Sequence, residues 1–523
     1  MSRYAKLISV PVPQSEPLDS RQVQNNAGGY VYTVDNWSRL NRFLILGSDS
    51  PTYYQTAQKL TRENAKCVDD CYAIDPQRTV DTIVAVSEAG RAAKNDQAIF
   101  ALALGAVSKD ERTRQLALAA MPRVCRTGTH LFQFVEISRA LGRGWGRAMK
   151  RAVGNWYNAK STDQVAFQVI KYRQREGYTH TRLMQTAHPS PMGDTERLAL
   201  YRWLWGKAPA FNELPRFIQG HIQAMGTKDV NEWVKLTRDF NLPWEALPTE
   251  ANTEASVWKT MLPTMGMTAM IRNLGNMSKH GAITPLSEAE DIVVRRLNDP
   301  VALKKSRIHP FNLLQAQVTY ASGKGARGKG AWNVSKPVVS ALDDAFYKAF
   351  DNVEPTGKRI LVAVDVSGSM DWSGQLLTPR QIAAAMAMVT VRTEQRWHTL
   401  GFSHDLVELP LSPKDSLETV MRKMQSVPMG GTDCSLPMIY AMNNNIDVDA
   451  FIVITDNETW AGRVHPAKAL QQYRAKSGIN AKLIVMGVTA TEFSIADPDD
   501  NGMLDVVGMD TSVPAIMADF IKG

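Results

Sequence analysis

The chain has 523 residues, which is more than a single hydrophobic core usually holds, so we expect at least two domains. Its 44% hydrophobic and 21% charged residues are those of an ordinary globular protein and exclude a fibrous or wholly disordered chain. The formal net charge of +8 is unevenly divided. Residues 1–355 carry 46 basic and 33 acidic side chains, a net +13, whereas residues 356–523 carry 14 and 19, a net −5. A polyanionic partner is therefore expected on the first part.

The cysteines and the apolar runs indicate the compartment. Four cysteines in a chain of this length cannot form a disulfide framework, which fits a reducing environment. The N-terminus lacks the apolar core of a signal peptide, and no apolar run approaches the roughly 20 residues of a membrane span. We therefore expect a cytoplasmic protein without a membrane partner.

Residues 36–353 have the pattern of one amphipathic helix after another, separated by short breaks. More than ten helices with short connections indicate a stacked array of helical repeats, in which each pair buries its apolar face on its neighbours. No fixed repeat length is present, so we predict an irregular array. The clearest predicted helices are Val80–Lys94, Asp96–Ser108, Glu111–Cys125, Thr129–Leu141, Gly146–Asn158, Thr162–Arg175, Thr195–Trp205, Val230–Phe240, Glu288–Asn298 and Pro337–Asn352.

From Lys358 onward, apolar strands alternate with helices, which is the pattern of a parallel sheet covered on both faces. We predict two domains: an all-α helical-repeat domain over 1–355 and an α/β doubly wound domain over 356–523. Ligands of such sheets bind at the carboxyl ends of the strands. The predicted strands are Arg359–Asp365, Trp397–Ser403, Ala450–Thr455, Ala481–Val488 and Leu504–Val507.

Hydroxyl and carboxylate side chains gather where two of these strands end. Asp365, Ser367 and Ser369 follow the first strand, and Asp456 follows a later one. Thr432 lies between them, directly before a predicted helix. Oxygen ligands of this kind suit a hard divalent cation, Mg²⁺ above all, which keeps some water and so leaves a position for an incoming ligand.

This pattern resembles the metal-ion-dependent adhesion site of von Willebrand factor A domains, which has D-x-S-x-S, a separate Thr, and an Asp after a later buried strand. The resemblance implies that Ser367, Ser369 and Thr432 supply hydroxyl ligands and that Asp365 and Asp456 bind directly or through water. It also implies an open position for an acidic side chain of a partner protein. The alternatives are an aspartyl nucleophile at Asp365 and ordinary turn residues. A metal-dependent hydrolase is disfavoured because no candidate general base stands beside Asp365.

The positive charge of the first part is concentrated in residues 112–182, which carry 14 Lys or Arg against three acidic residues, a net +11. Basic side chains neutralise phosphates, and aromatic rings can stack on unpaired bases. Lys171 and Arg175 are spaced to share one helix face, with Arg173 pointing elsewhere. Thr179 is the predicted N-cap of the next helix, which carries His188 near its end. Further basic members are Arg143, Arg147, Lys150, Arg151 and Arg182, and the interleaved aromatics are Phe132, Phe134, Trp145, Trp156, Tyr157, Tyr172 and Tyr178.

Two interpretations of this stretch remain open. One is a surface that binds RNA or DNA. The other is a solvated charged helix face above aromatic residues that belong to the core. His180 and His188 are eight residues apart with no cysteine nearby, so a zinc site is not expected.

The segments Lys171–His180 and Leu183–His188 resemble the corresponding stretch of the Ro autoantigen family. The opening of that family's ring domain, the TROVE domain, is likewise similar to Gly29–Tyr32, Leu40–Ser48 and Tyr53-Tyr54. The order of the two domains agrees as well. The resemblance therefore implies a HEAT-like ring of helical repeats followed by a von Willebrand A-like domain, and we expect a bacterial member of the family.

The resemblance also implies a function. Family members are expected to bind Y RNA on the outer surface of the ring and single-stranded 3′ ends of misfolded non-coding RNAs in its central hole. Lys171, Arg175 and His188 match the family's RNA-contacting positions, whereas the remaining basic candidates rest on charge alone. We thus predict a non-catalytic RNA-binding protein of RNA quality control, processing or stress response, whose bound Y RNA regulates access to the hole or tethers an exoribonuclease. The alternative is a protein-interaction or adhesion module that works through its metal site.

Overall fold

The chain forms two compact units. One contains Val68 to Ala349, and the other combines the residues up to Cys67 with those that follow the helical region. The C-terminal division lies close to the predicted boundary at 355, but the N-terminal segment, which the sequence placed with the helices, belongs with the α/β domain. The computed structural model describes residues 11–46, 65–92, 94–175, 177–325, 330–349, 355–371, 378–425, 430–489, 491, 493–508 and 512–522, without the side chains of Leu46, Gln174, Arg175 and Phe311.

The N-terminal segment contains two short strands and a helix, β1 (Gln22–Gln24), β2 (Tyr30–Thr33) and α1 (Asn36–Leu46). The two strands pair antiparallel, with Val23 opposite Val31. Of the residues that carry the resemblance to the ring-domain opening, Gly47, Ser48, Tyr53 and Tyr54 lie outside the described residues.

The second unit is built from helices and one minimal hairpin. In chain order its elements are α2 (Lys66–Ile74), α3 (Pro76–Ala89), α4 (Asp96–Val107), α5 (Glu111–Val124), α6 (Gly128–Ala140), α7 (Arg147–Asn158), α8 (Thr162–Lys171), β3 (Gln174–Arg175), β4 (Tyr178–Thr179), α9 (His180–Ala187), α10 (Thr195–Leu204), α11 (Arg216–Gly226), α12 (Val230–Phe240), α13 (Ala255–Met261), α14 (Met267–Lys279), α15 (Glu288–Asn298), α16 (Pro300–Ser306), α17 (Pro310–Ala321) and α18 (Lys336–Lys348).

Polar residues before the helices determine where several of them begin. Asp75, Asp110, Ser161 and Thr179 each accept a hydrogen bond from the backbone N–H three residues later. Each such cap satisfies an N–H group that the helix itself leaves unpaired, and its loss typically costs about 1 kcal/mol. The predicted helix starts therefore agree with the observed ones to within a few residues.

Late helices of this unit return to an early one. Arg307, which follows α16, donates from Nη1 to the carbonyl of Glu88 at the end of α3, at 3.0 Å. His309 contacts the carbonyl of Arg91 through Nε2, at 2.8 Å. Two contacts across more than 200 residues of sequence connect late and early helices of this unit, which the predicted ring requires.

The remaining chain forms the predicted α/β domain. Its six-stranded sheet has the order β11-β9-β8-β5-β6-β7, parallel except for the antiparallel edge strand β7. The sheet is therefore mixed, because a short turn after β6 folds the chain back onto its own edge. Its elements, with one further short strand, are β5 (Arg359–Asp365), α19 (Pro379–Thr393), β6 (Arg396–Phe402), β7 (Leu406–Glu408), α20 (Leu417–Met424), α21 (Leu436–Asn443), β8 (Ala450–Thr455), α22 (Pro466–Ser477), β9 (Lys482–Gly487), β10 (Phe493–Ser494), β11 (Met503–Val507) and α23 (Val513–Lys522).

The N-terminal segment is part of this domain. β2 pairs antiparallel with β10, so that Thr33 lies opposite Phe493. Val31 and Tyr32 are buried in the same hydrophobic core as Leu361 and Phe402 of the main sheet. The domain is thus assembled from both ends of the chain.

Two compositional expectations can be compared with the fold. None of the helices in the described ranges is long and apolar enough to cross a membrane. The side chains of all four cysteines are buried, namely Cys67, Cys71, Cys125 and Cys434.

Candidate nucleic-acid interface and metal site

Helix α7 presents a basic face to solvent. Arg147 and Arg151 are exposed and Lys150 is half-buried, and their i, i+3, i+4 spacing places them side by side. The opposite face buries Val153 and Trp156 completely. The helix is therefore held by its apolar face, which leaves the three cations available to a polyanion.

The end of α8 differs from the sequence prediction. The prediction that Lys171 and Arg175 share a helix face is wrong, because α8 ends at Lys171 and Arg175 lies in β3. Arg175 pairs there with Tyr178 of β4. Gly177 turns the chain with a φ of +73°, in the left-handed region that glycine adopts without strain. A tight hairpin therefore separates the two candidate residues, and the side chain of Arg175 is outside the described part of the chain.

Lys171 has a carboxylate nearby. Its ammonium lies 3.7 Å from Glu245 Oε1, and both side chains are about one-fifth exposed, at 21% and 18%. The ammonium also lies 5.1 Å from the centre of the Phe167 ring. A phosphate that binds Lys171 must therefore compete with Glu245.

Arg173 is exposed but is held in place by a histidine. Its Nη2 lies 3.1 Å from His221 Nε2, and His221 Nδ1 lies 2.7 Å from the carbonyl of Ala246. Burial lowers the pKa of His221, which keeps the ring neutral at pH 7. The neutral ring donates to Ala246 and accepts from Arg173, so the guanidinium is fixed at the surface next to α8.

Tyr178 joins two further arginines of the basic stretch, of which Arg139 was not named among the candidates. Arg139, at the end of α6, donates from Nη1 to the Tyr178 hydroxyl at 2.8 Å. The guanidinium of Arg182 lies 5.4 Å from the centre of the same ring. Because Arg139 and Tyr178 meet only through the packing of the hairpin against α6, no local sequence pattern points to Arg139.

His188 and His180 have opposite environments. His188 is exposed and ends α9 in a left-handed conformation, with φ 50°. His180 is buried, lies 2.8 Å from the Tyr157 hydroxyl through Nδ1, and packs against Phe132. Burial lowers the pKa of His180 to about 3. Only His188 is therefore accessible to RNA, and His180 belongs to the core.

Most aromatic residues of the basic stretch are core residues. Trp145 and Tyr172 are half-buried and retain some exposed surface. The fully or almost fully buried ones are Phe132, Phe134, Trp156, Tyr157 and Tyr178. Base stacking on this surface is thus limited to few rings, and the candidate interface is mainly cationic.

Arg143 adds to the unpaired positive charge. It is half-buried, and burial together with the nearby charge of Arg114 lowers its pKa. Within the described part of the chain its Nε is buried without a hydrogen-bond partner. Like charges held close together favour the binding of an anion.

The metal-site residues lie at the carboxyl ends of β5 and β8, as predicted. Asp365 ends β5 and accepts from the Ser367 N–H at 2.9 Å through Oδ1. Its Oδ2 accepts from the hydroxyl of Thr455 at 2.7 Å, a partner that sequence reasoning missed. The Ser367 and Ser369 hydroxyls are 2.8 Å apart, and Asp456, the residue after β8, accepts from the Glu458 N–H at 3.1 Å through Oδ1.

Thr432 belongs to the same site through its loop. Its side chain is buried, and its carbonyl accepts from the N–H groups of Trp460 and Ala461, both at 3.0 Å. The loop that carries Thr432 is thereby held against the segment that follows Asp456. The structure thus assembles the loops of all five predicted ligands at one end of the sheet.

The electrostatics of this site fit a cation. Asp365 and Asp456 are fully buried, and burial together with the charge of Asp456 raises the pKa of Asp365. Asp456 Oδ2 is buried without a hydrogen-bond partner among the described residues. In the described part of the chain, no group of three or more His, Cys, Asp or Glu side chains could hold a metal. The candidate donor set is instead the two carboxylates and three hydroxyls predicted from the sequence. Such oxygen donors match a hard cation such as Mg²⁺.

An array of helices with exposed cations on α7 and around the β3–β4 hairpin, joined to an α/β domain with this candidate donor set, defines a TROVE protein with a von Willebrand A domain. The TROVE domain model matches residues 23–215 and 232–319, and the Ro60 vWA domain model matches residues 359–521. The chain belongs to the Ro family.

Relatives of this family match nearly the whole chain. RNA-binding protein RO60 of Deinococcus radiodurans is 44% identical over 519 residues, covering 98% of this chain and 97% of that protein. RNA-binding protein RO60 of Caenorhabditis elegans is 34% identical over 592 residues, covering 98% and 91%. The crystal structure of the Deinococcus radiodurans RO (RSR) protein superposes with a TM-score of 0.71 at 42% identity, covering 94% of this chain and all of that one.

Proposed function

We propose that this chain is an RNA-binding Ro protein that grips RNA phosphates with the basic surface of its helical unit. The observation that carries the proposal is the concentration of accessible cations on α7 and around the hairpin β3–β4. Both RO60 relatives are named as RNA-binding proteins, which supports the same function here. The candidate contacts are Lys171, Arg173, Arg175 and His188 beside the hairpin, and Arg143, Arg147, Lys150 and Arg151 on and before α7.

The proposal extends to the kind of RNA. A small non-coding RNA of the Y type binds the outer surface at Lys171, Arg175 and His188. Single-stranded ends of misfolded or precursor non-coding RNAs enter the hole of the ring. Bound Y-like RNA regulates that access or tethers an exoribonuclease, which places the protein in cytoplasmic RNA quality control, processing or stress response. Crosslinking of the chain to RNA in its source cells, followed by sequencing, tests this: recovery of structured small RNAs supports it, and recovery of messenger RNA alone contradicts it.

The chain is proposed to act without cleaving RNA. Incubation of labelled non-coding RNA with the purified protein and Mg²⁺ should leave the RNA intact over hours, because the sequence places no candidate general base beside Asp365. Asp456→Ala is the matched control for contaminating nuclease, which it would leave unchanged. Cleavage that requires the wild-type protein and disappears in Asp456→Ala would mean that the protein is a metal-dependent nuclease.

The five oxygen-donor residues are proposed to hold Mg²⁺, which when bound supplies an open coordination position for a carboxylate. Asp365, Ser367, Ser369, Thr432 and Asp456 would hold the ion. An acidic side chain of a partner protein is the proposed ligand. Trp460 favours this second function, because its indole is 45% exposed and lies against Gly431, beside Thr432. Exposed tryptophans next to a charged site are typical anchors of protein interfaces.

A further inference from the structure

The N-terminal segment crosses the loops of the proposed metal site. Gln14 is completely buried, although its side chain is polar. Its amide nitrogen donates to Asp433 Oδ1 and to the carbonyl of Val464, both at 2.8 Å, and its amide oxygen accepts from the Thr459 hydroxyl. One side chain from the start of the chain thus bridges two loops more than 400 residues away.

A second contact lies a few residues further along the segment. The Asn25 side chain donates to the carbonyls of Asn457 and Thr459, at 3.3 and 2.9 Å. Glu458 accepts from the Asn26 side chain at 2.7 Å and from the Ala27 N–H at 3.1 Å. These bonds connect residues 25–27 to the backbone carbonyls of Asn457 and Thr459 and to the carboxylate of Glu458.

Gly29 shows how closely the two segments approach. A Cβ at this position would lie 1.9 Å from the carbonyl oxygen of Thr459, which is far below any contact distance. The segment therefore packs directly against the backbone of the loop, and a side chain at position 29 would push the two apart.

The contacted residues adjoin the proposed ligands. Asp433 follows Thr432, and residues 457–460 follow Asp456. Residues that hydrogen-bond to the ligands of a metal ion orient those ligands, and the loss of such residues typically lowers metal affinity by about 10–100-fold. Gln14 bonds to both loops at once, so it fixes the position of Thr432 relative to Asp456.

We propose that Gln14 and Asn25 are positioning residues of the metal site, so that the site is built from both ends of the chain. The inference rests on the proposed metal binding at Asp365 and Asp456. Neither residue contacts the ion. They hold the two ligand-bearing loops at the separation that one divalent cation requires.

The test compares Mn²⁺ binding to full-length variants by electron paramagnetic resonance. Gln14→Met keeps the volume of the side chain but cannot hydrogen-bond, so we expect Mn²⁺ affinity to fall about 10–100-fold and the spectrum of the bound ion to change. Ser15→Ala, an exposed neighbour on the same segment, should bind as the wild type does. Affinity for RNA should be equal in all three proteins, because RNA binds the helical unit.

A second variant tests the same role in case Gln14→Met does not fold. Asn25→Asp keeps the oxygen that accepts from Ala27 and Gly29 but loses the donor to residues 457 and 459, and it should weaken Mn²⁺ binding as well. If both variants fold and bind Mn²⁺ as tightly as the wild-type protein does, the positioning role is wrong and the proposed metal binding still stands. If the wild-type protein does not bind Mn²⁺, the positioning role and the metal binding are both wrong.

Discussion

The double variant Lys171→Ala with Arg175→Ala should lose tight binding to Y-like RNA while the protein stays folded. Each lost cationic contact to RNA costs about 1–3 kcal/mol, so two contacts together lower the affinity by a factor of about 30 or more. A gel-shift titration at fixed salt measures the loss. If the variant binds RNA with wild-type affinity, the hairpin region is not part of the RNA interface.

The fold should tolerate this double change. Lys171 pairs with Glu245 at 3.7 Å near the surface, and pairs of this kind contribute about 1 kcal/mol at most. The backbone pairing of Arg175 with Tyr178 does not need the arginine side chain. Circular dichroism of the variant should therefore match that of the wild-type protein.

Glu245→Gln is the matched control, and its effect should have the opposite sign. It removes the carboxylate that competes with phosphate for Lys171, so RNA affinity should rise or stay equal. A fall in affinity on Glu245→Gln would show that Lys171 acts through its ion pair and does not contact RNA.

Arg42→Met should cause the largest loss of stability. Arg42, in α1, is 2% exposed and forms an ion pair with Asp505 of β11. Its guanidinium also donates to the carbonyls of Thr491 and Phe493, the latter at 2.8 Å. Removal of Arg42 leaves the carboxylate of Asp505, which is only 16% exposed, without its counter-ion, and breaking a buried pair in this way typically costs about 3–5 kcal/mol.

Urea denaturation, monitored through the unfolding transition of the α/β domain, measures this loss of stability. Lys414→Met, an exposed lysine of the same unit, serves as control and should change the free energy of unfolding by less than about 0.5 kcal/mol. A change for Arg42→Met that is no larger than the control would mean that α1 is not required for the stability of this domain.

Local sequence patterns were sufficient for most helices, the main strands and the location of the candidate metal ligands at the strand ends. The 3.6-residue period and the polar caps define the helices, and the D-x-S-x-S motif after a buried strand identifies Asp365, Ser367 and Ser369. These features depend on residues within one turn of helix or one strand, so a single sequence reveals them.

Features that depend on distant pairing could not be predicted. Gln14 and Arg42 are polar residues in an unremarkable stretch, and only the folded domain shows that both are buried against residues more than 400 positions away. In the sequence Thr455 is only the last residue of a predicted strand, and the fold alone shows that its hydroxyl donates to Asp365. The helix through Arg175 was predicted too long because Gly177 turns the chain within a segment whose charges fit a helix.

The proposed function requires that the exposed cations of the helical unit bind RNA. Its most direct test is the affinity of the purified, nucleic-acid-free protein for a structured non-coding RNA with a single-stranded 3′ tail, measured between 50 and 200 mM salt. With six or more phosphate contacts, the affinity should fall by about 10³-fold or more across this range. No binding, or binding that changes less than about tenfold, would contradict the account.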